Sequence, residues 1–379
     1  MNFGFTEEQE MIRSQAAEFL KQEYPIAFVR ESLNDEHGFN QDLWNKMSTL
    51  GWLSLVFPED CRGAGLTFVD LTILLEQMGR VLVPGAFFST VLLGGLTILE
   101  TGSSEQKLKW LTSIADGKLK STLAHFEPER DSAAGGPSPV TAKREDNGYV
   151  INGTKLFVPD AHSADLIVCT ARSSGSVPEG GMSLFAVDRM SAGLNVTALK
   201  TMDQTRRVYE VTFDQVHVPK DRVLGTFGHA LRAIDKVLCK ATIGRCAEMV
   251  GGAQKMLDMC VDYAKQRVQF GRPIGSFQAI QHKCADMLLL IESARSAVYA
   301  GACAASVDSH DAALLASVAK AYTNDACRFV AGEAIQIHGG MGFTWEHDAH
   351  LYFKRAKADE FSFGDAVYHR ARVAELIGL

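Results

Sequence analysis

The sequence contains no long apolar stretch, no basic block and no cysteine pair of the kind that binds zinc. No apolar run reaches the roughly 18 residues that a membrane-spanning helix needs. The net charge is −7, with 38 Lys and Arg against 45 Asp and Glu, and no Lys/Arg-rich segment marks a surface for nucleic acid. We therefore expect neither a membrane nor a nucleic acid among the partners.

The eight cysteines are scattered, without a CxxC motif and without histidines at metal-ligand spacing. This pattern predicts no metal site, and reduced, mostly buried thiols. The amino-terminal residues lack the basic start and the apolar core of a secretory signal. They are typical instead of a helix start, with Thr6 as the N-cap and Gln9 at the reciprocal capping position. We expect a cytoplasmic protein.

The spacing of the apolar residues changes twice along the 379-residue chain. The first part has a helical pattern, the second alternates short β-branched runs with turns, and the third has long helical segments. Asn147-Gly148 and Asn152-Gly153 are predicted turns of the second part. We predict an N-terminal helical domain (residues 1–120), a middle β-barrel or β-sandwich domain (121–226) and a C-terminal four-helix bundle (227–379).

Two glycine-containing motifs follow long helical segments. The first runs from Arg267 through Gln269 and Phe270 to Gln278. A helix stop explains its glycines and proline but not Arg267 or Gln278, and an arginine at such a corner can hold a diphosphate. The second motif runs from Gln336 to Gly342, where adjacent glycines allow close approach of a ligand or simply end a helix.

Together the two motifs resemble FAD-binding signatures of the acyl-CoA dehydrogenase family, and the resemblance extends along essentially the whole chain. It implies an α+β fold with helical, β and helical-bundle domains, and FAD as the cofactor. The first motif would hold the adenine side of FAD, while the second, from the neighbouring subunit, would close over the same cofactor. The implied FAD-binding residues are Arg267, Gln269, Phe270, Gln278, Gln336, Gly339 and Gly340.

The same resemblance assigns the strand at Phe157 to the flavin, where an aromatic side chain can cover the ring. Pro159 has no N–H group, so a hydrogen bond to the flavin from that position is lost. The implied reaction is α,β-dehydrogenation of an acyl-CoA, in which a carboxylate removes the α-proton and the β-hydrogen leaves as hydride to flavin N5. The implied partners are an electron-transfer flavoprotein or similar acceptor, in a homotetramer or an α2β2 heterotetramer.

The usual base of the family is missing from this sequence. Gly364 aligns with the glycine that follows the family's C-terminal glutamate, which places Phe363 where the base should be. A second family position for the base corresponds to Ala241. We therefore consider Glu248, two helical turns beyond Ala241 in an apolar segment, as the base. The alternative for Glu248 is an exposed side chain or an ion pair with Arg245.

Two other carboxylates lie close to Phe363 in the sequence. Asp365 is the second candidate base, although it could simply cap the following helix. Glu360, three residues before Phe363, is the third candidate.

The acyl group is expected to lie against Phe88, Phe363 and Gly364. Ser132 is an expected contact of CoA or flavin, in a loop that has lost the family's glycines. The missing glutamate suggests a branched, cyclic, dicarboxylic or steroid-derived acyl chain. The chain also resembles the small subunits of dicarboxyl-CoA and steroid side-chain CoA dehydrogenases. Alternatives are a non-catalytic or half-site subunit of a heteromer, and a flavin oxidase or monooxygenase.

Overall fold

The computed structural model describes residues 4–33, 35, 38–127, 140–174 and 181–379. These residues form two compact units. The first unit comprises the described part of residues 1–33 together with 67–83 and 239–379, and the second comprises the described part of 34–66 and 84–238. The helices of the first 120 residues are thus divided between the two units. The predicted domain boundaries themselves stay a prediction.

The helices account for all of the first unit apart from a short hairpin and connecting turns. In chain order the α-helices of the described residues are α1 Glu7–Glu23, α2 Ile26–Ser32, α3 Gln41–Thr49, α4 Phe68–Arg80, α5 Leu96–Thr101, α6 Ser104–Ala115, α7 Leu231–Gln266, α8 Gln278–Ser306, α9 Ala312–His338, α10 Ala349–Phe361 and α11 Ala366–Leu376. Helices α3, α5 and α6 belong to the second unit, as does a π-helix at Ser89–Gly95.

The helical bundle of the first unit is built around α7, α8 and α9. Helix α8 packs along α9, and α10 and α11 pack against α9 as well. Every residue of α7 from 241 to 253 is buried, because this stretch is apolar on nearly all faces. The long helices confirm the predicted bundle. The capping box between Thr6 and Gln9 is present at the start of α1.

Helices α4 and α7 touch through their backbones where glycines remove the side chains. A Cβ atom on Gly79 would lie 2.0 Å from the carbonyl oxygen of Glu248, and one on Gly251 would lie 1.9 Å from that of Glu76. Only glycine allows two helices to approach so closely. Glu248 therefore lies at the point of closest approach between the two helices, where its backbone has little freedom.

One helix of the described residues, α8, is long and apolar enough to cross a membrane by length and composition alone. It was not anticipated as such from the sequence. Helix α8 packs along α9 within the bundle, and core helices of soluble proteins pass the same test.

The second unit contains an eight-stranded sheet. Its strands are β1 Ser121–Ala124, β2 Thr141–Glu145, β3 Gly148–Pro159, β4 Leu166–Ser174, β5 Met182–Asp188, β6 Leu194–Ala198, β7 Val208–Pro219 and β8 Val223–Leu224. The strand order is β6-β7-β3-β2-β4-β5-β8, with β1 paired to β4. Strands β1 and β2 pair with β4 in parallel, and the other pairs are antiparallel. Its apolar residues form a buried core that includes Ile151, Phe185 and Phe213.

The two predicted turns in this domain have different outcomes. Strands β2 and β3 form a hairpin in which Glu145 pairs with Gly148, so the turn lies one residue earlier than predicted. The prediction of a turn at Asn152-Gly153 is wrong, since both residues lie inside β3. Gly153 has a φ of 126° at a register shift with β7. The extra residue lies on β7, where Gln215 has a φ of 51°, and the Asn-Gly pair of β3 lies opposite this β-bulge.

Candidate functional site

Three phenylalanines at the positions singled out in the sequence have left-handed backbones. The φ angles are 53° at Phe157, 52° at Phe270 and 61° at Phe363. This region is unfavourable for bulky side chains, at about 1–3 kcal/mol each, and such strain concentrates at functional sites. In the sequence, Phe270 and Phe363 are each followed by a glycine, Gly271 and Gly364, which indicates a turn. The glycines do not reveal that the phenylalanines themselves have positive φ angles.

The first motif forms a hairpin that presents an aromatic ring to solvent. Strands β9 (Val268–Gln269) and β10 (Arg272–Pro273) are joined by Phe270 and Gly271, and both joining residues have positive φ angles. This is what a type I′ turn requires. Phe270 is 92% exposed, and Arg267, Gln269 and Gln278 are exposed as well. The predicted cofactor-binding residues of this motif are therefore all available at the surface.

The second motif lies at the end of α9, in the same unit. Gln336, Gly339 and Gly340 are exposed, and a Cβ atom added at either glycine would meet no atom within 4 Å. The ring of His338 lies 4.7 Å from that of Tyr263, near the end of α7. The structure therefore brings the two motifs together at neighbouring helix ends of one chain.

This surface fits the adenine and diphosphate side of FAD. Gly339 and Gly340 leave the backbone open to a ligand, and the Phe270 ring offers an unpacked aromatic face. Within the described ranges no carboxylate pairs with the Arg267 guanidinium, which leaves its donors for an anion such as a diphosphate.

Phe363 lies in a turn that several polar groups hold in place. His369 Nε2 donates to the carbonyl oxygen of Phe363 at 3.0 Å. Gly364 has a φ of 108°, and a Cβ atom there would lie 2.2 Å from the ring of Tyr368. The glycine is therefore required for the turn itself. Phe363 and Gly364, predicted to contact the substrate, are both partly exposed.

Lys320 and Asn324 on α9 were not identified from the sequence, yet they hold the end of α10 just before this turn. Lys320 Nζ donates to Asn324 Oδ1 at 2.6 Å and to the Asp359 carbonyl at 2.7 Å, while Asn324 Nδ2 donates to the Glu360 carbonyl at 3.1 Å. These bonds satisfy the last carbonyl groups of the helix. Burial lowers the pKa of the Lys320 ammonium to about 8. The sequence signal that could have identified Lys320 is a single lysine within an alanine-rich helix.

Glu248 is buried and forms an ion pair. Its Oε2 lies 2.6 Å from Nη1 of Arg245, which is the alternative that the sequence left open. Arg245 Nε lies 3.6 Å from Oδ1 of Asp359, and its guanidinium carbon lies 5.9 Å from the centre of the Phe363 ring. The structure thus brings Glu248 to the neighbourhood of Phe363, although the two are far apart in the sequence.

The other two candidate bases also have partners. Asp365 caps α11, accepting a hydrogen bond from the Tyr368 N–H at 2.8 Å, which is the structural role that the sequence offered as its alternative. Glu360 lies 2.5 Å from Lys357 Nζ and 3.5 Å from Arg328 Nη1. None of these contacts tests catalysis, so the assignment of the base stays a prediction.

The remaining predicted residues belong to the second unit. Phe157 lies on β3 and is 56% exposed. Phe88 is buried and directly precedes the π-helix, an element that is rare and frequent at functional sites. Ser89 Oγ in that helix donates to Asp160 Oδ2 at 2.6 Å, one residue after β3. Ser132 lies outside the described residues.

Comparisons with known proteins agree along the whole chain. Models of the acyl-CoA dehydrogenase N-terminal, middle and C-terminal domains match residues 6–118, 122–216 and 231–378. An acyl-CoA dehydrogenase of Bacillus subtilis (strain 168) is 31% identical, over 98% of both chains.

Two solved structures have the same fold. An acyl-CoA dehydrogenase from Bacillus anthracis complexed with FAD has a TM-score of 0.91 at 25% identity, covering 100% of this chain and 68% of that one. A chain of the ChsE4-ChsE5 complex from Mycobacterium tuberculosis has a TM-score of 0.90 at 26% identity, covering 100% of this chain and 99% of that one.

Proposed function

The chain belongs to the acyl-CoA dehydrogenase family, and from this we propose that it catalyses α,β-dehydrogenation of an acyl-CoA thioester with Glu248 as the general base. Members of this family are oxidoreductases that act on CH–CH groups, and FAD is the cofactor. Bound FAD would supply the acceptor for the β-hydrogen, which leaves the substrate as hydride. The protein must then supply a group that removes the α-proton.

The observation that carries this proposal is the position of Arg245 between Glu248 and Phe363. One guanidinium group contacts the Glu248 carboxylate at 2.6 Å and lies 5.9 Å from the Phe363 ring. Phe363 occupies the place of the family's usual base. Glu248 is therefore a carboxylate of α7 that lies on the same arginine, Arg245, as the Phe363 ring.

The surroundings of Glu248 fit a base that is shielded from water. The residue is 7% exposed, and the backbone contact between α4 and α7 fixes its position on the helix. To accept a proton, the Glu248 carboxylate must leave its ion pair with Arg245 and contact the substrate instead. Asp359, 3.6 Å from Arg245 Nε, offers the guanidinium a second carboxylate, so the exchange does not leave a buried positive charge unpaired.

The substrate and partners follow from the same residues. We propose a branched, cyclic, dicarboxylic or steroid-derived acyl chain that lies against Phe363, since an aromatic side chain stands at the position that the resemblance assigns to the family's glutamate. Electrons would pass to an electron-transfer flavoprotein or similar acceptor. A cytoplasmic homotetramer or α2β2 heterotetramer is the proposed assembly.

Substitution of Glu248 by Gln tests the assignment of the base. A positioned general base contributes roughly 10²–10⁴ to the rate, so we expect Glu248→Gln to lower kcat by about that factor while FAD content stays near one per chain. Asp365→Asn is the matched control, because Asn caps a helix as well as Asp does. Turnover should survive in the control.

The opposite result would contradict the assignment of Glu248 as the base. If Glu248→Gln keeps near-normal turnover while Asp365→Asn loses it, the base is not on α7. Thermal unfolding of both variants separates a lost base from a lost fold.

A second function is favoured by the partners of the three candidate carboxylates. Glu248, Glu360 and Asp365 each engage a residue of the same chain. A subunit whose partner supplies the base would need no free carboxylate here, and one structural relative is a chain of the ChsE4-ChsE5 complex. Such a subunit would bind FAD alone or with its partner, but would turn over acyl-CoA only with the partner present.

A further inference from the structure

The β domain contains an ion pair that is completely enclosed. The side chains of Glu127 and Lys155 are both 0% exposed, and the carboxylate and the ammonium are in direct contact. Lys155 Nζ also donates to Thr170 Oγ1 at 3.0 Å and to the His125 carbonyl at 3.2 Å. All three donors of the ammonium are therefore used.

Stability is a weak reason for such a pair. Moving two charges out of water takes several kcal/mol per ion, and replacement of a buried ion pair by apolar residues of similar volume is often neutral or stabilising. Since stability alone is a weak explanation, a geometry that the pair imposes is the better one. The neighbouring residues of β3 show what that geometry is.

Strand β3 bulges directly after Lys155. Lys155 pairs with Val211 of β7 and Val158 pairs with Tyr209, so two residues of β3 lie opposite one residue of β7. The Leu156 N–H donates to the Phe126 carbonyl at 2.9 Å. The segment 125–127 is thus attached to β3 at two consecutive residues, once through a side chain and once through the backbone.

The bulge reverses the face on which Phe157 lies. In a regular strand, residues two apart share a face, so Phe157 would point into the core beside the fully buried Lys155. Instead Phe157 is 56% exposed, with a φ of 53°, and the next residue, Val158, is buried. The strained conformation of Phe157 begins where the attachment of segment 125–127 ends.

We infer that the Glu127–Lys155 ion pair is a positioning device that holds the bulge of β3 open and thereby presents Phe157 to the flavin. The inference rests on the proposed function of an FAD-dependent enzyme and on the contact between Phe157 and the flavin ring that the family resemblance implies. Glu127 and Lys155 are positioning residues, since they act through Phe157. The pair sets FAD affinity more than it sets the stability of the chain.

A double variant, Glu127→Leu/Lys155→Met, separates positioning from stability. We expect the full-length chain to keep the melting temperature of the FAD-free wild type, or to exceed it. The Kd for FAD should rise by about tenfold or more, with an altered visible spectrum of the bound flavin. Asp188→Asn, which breaks the exposed Arg222–Asp188 pair of the same domain, is the control and should change neither quantity.

Either of two results with the double variant overturns the inference. The first is a wild-type Kd for FAD with an unchanged flavin spectrum. The second is a variant that fails to fold or melts at a much lower temperature, because the pair is then structural.

Phe157→Ala distinguishes this inference from the proposed function. Weaker FAD binding in Phe157→Ala, together with wild-type binding in the double variant, removes the role of the ion pair alone. Wild-type binding in Phe157→Ala removes the assignment of Phe157 to the flavin, and the inference with it.

Discussion

At the scale of single residues, the central prediction from the sequence concerns Phe363. The resemblance assigns Phe363 to the position of the family's catalytic glutamate, and a phenylalanine cannot accept a proton. The turn around Phe363 is held by specific interactions. His369 donates a hydrogen bond to the Phe363 carbonyl group, and Gly364 has a φ of 108°. The turn thus has a well-defined geometry of its own.

His369 should make the stability of this turn dependent on pH. Burial, and then the nearby positive charge of Lys320, lowers the pKa of His369 from 6.5 to about 4. Between these values the unfolded chain binds more protons than the folded chain. The stabilisation of the fold by neutral His369 is thus fully present above pH 6.5 and is lost as the pH falls to 4.

We expect the free energy of unfolding of the wild type, relative to His369→Gln, to fall by up to about 3 kcal/mol between pH 7 and pH 4. Urea unfolding of both proteins across this range measures the difference. The same pH dependence in the two proteins would show that His369 is not held in its neutral form.

The candidate residues could be named from the sequence, as could the nearby partner Arg245 of Glu248, but partners on other helices could not. Arg267, Phe270, Gln336 and Gly339 were all identifiable from motifs, because glycine, arginine and aromatic residues at fixed spacing are visible in a linear chain. Lys320 was not, since its hydrogen bonds reach carbonyl groups of Asp359 and Glu360 on another helix. Long-range polar contacts of this kind depend on packing.

At the scale of the elements, the crossing of α4 and α7 determines where Glu248 lies. The crossing relies on Gly79 and Gly251, whose Cβ atoms would collide with backbone carbonyl groups. Gly252 is different, because a Cβ atom there would meet its nearest neighbour at 3.6 Å, an ordinary contact. Two adjacent glycines of one helix thus have different roles.

Alanine substitutions at the two adjacent glycines should have opposite effects. We expect Gly251→Ala to destabilise the fold by about 1–3 kcal/mol or more, because the helices must separate. Gly252→Ala should stabilise it by about 0.5–1 kcal/mol, since alanine favours a helix. Denaturant unfolding of the two variants checks this. Equal stabilities would mean that the crossing is not as close as described.

The sequence predicted the kinds of elements better than their details. The order of a helical part, a β part and a part with long helices could be predicted from apolar periodicity alone. The prediction of a turn at Asn152-Gly153 was wrong, because the pair lies within β3 opposite a bulge of β7, and only the pairing with β7 reveals this. The bulge at Phe157 left no such mark, since Leu156 and Phe157 look like ordinary strand residues.

At the scale of the whole molecule, family membership settles the fold and the cofactor, and the identity of the base remains the central question. The proposal of an enzyme that works with its own base depends on Glu248 leaving Arg245 when substrate binds. The alternative of a heteromeric subunit needs no such exchange. The two accounts differ in what the chain does in the absence of any partner.

The most direct measurement is anaerobic mixing of the purified FAD-bound chain, without a partner, with straight, branched, cyclic, dicarboxylic and steroid-derived CoA esters. Loss of the visible absorbance of the flavin reports hydride transfer. The account predicts this loss with at least one ester, and its absence in Glu248→Gln. A chain that stays inert with every ester until a partner chain is added, or a Glu248→Gln variant that reacts like the wild type, would contradict it.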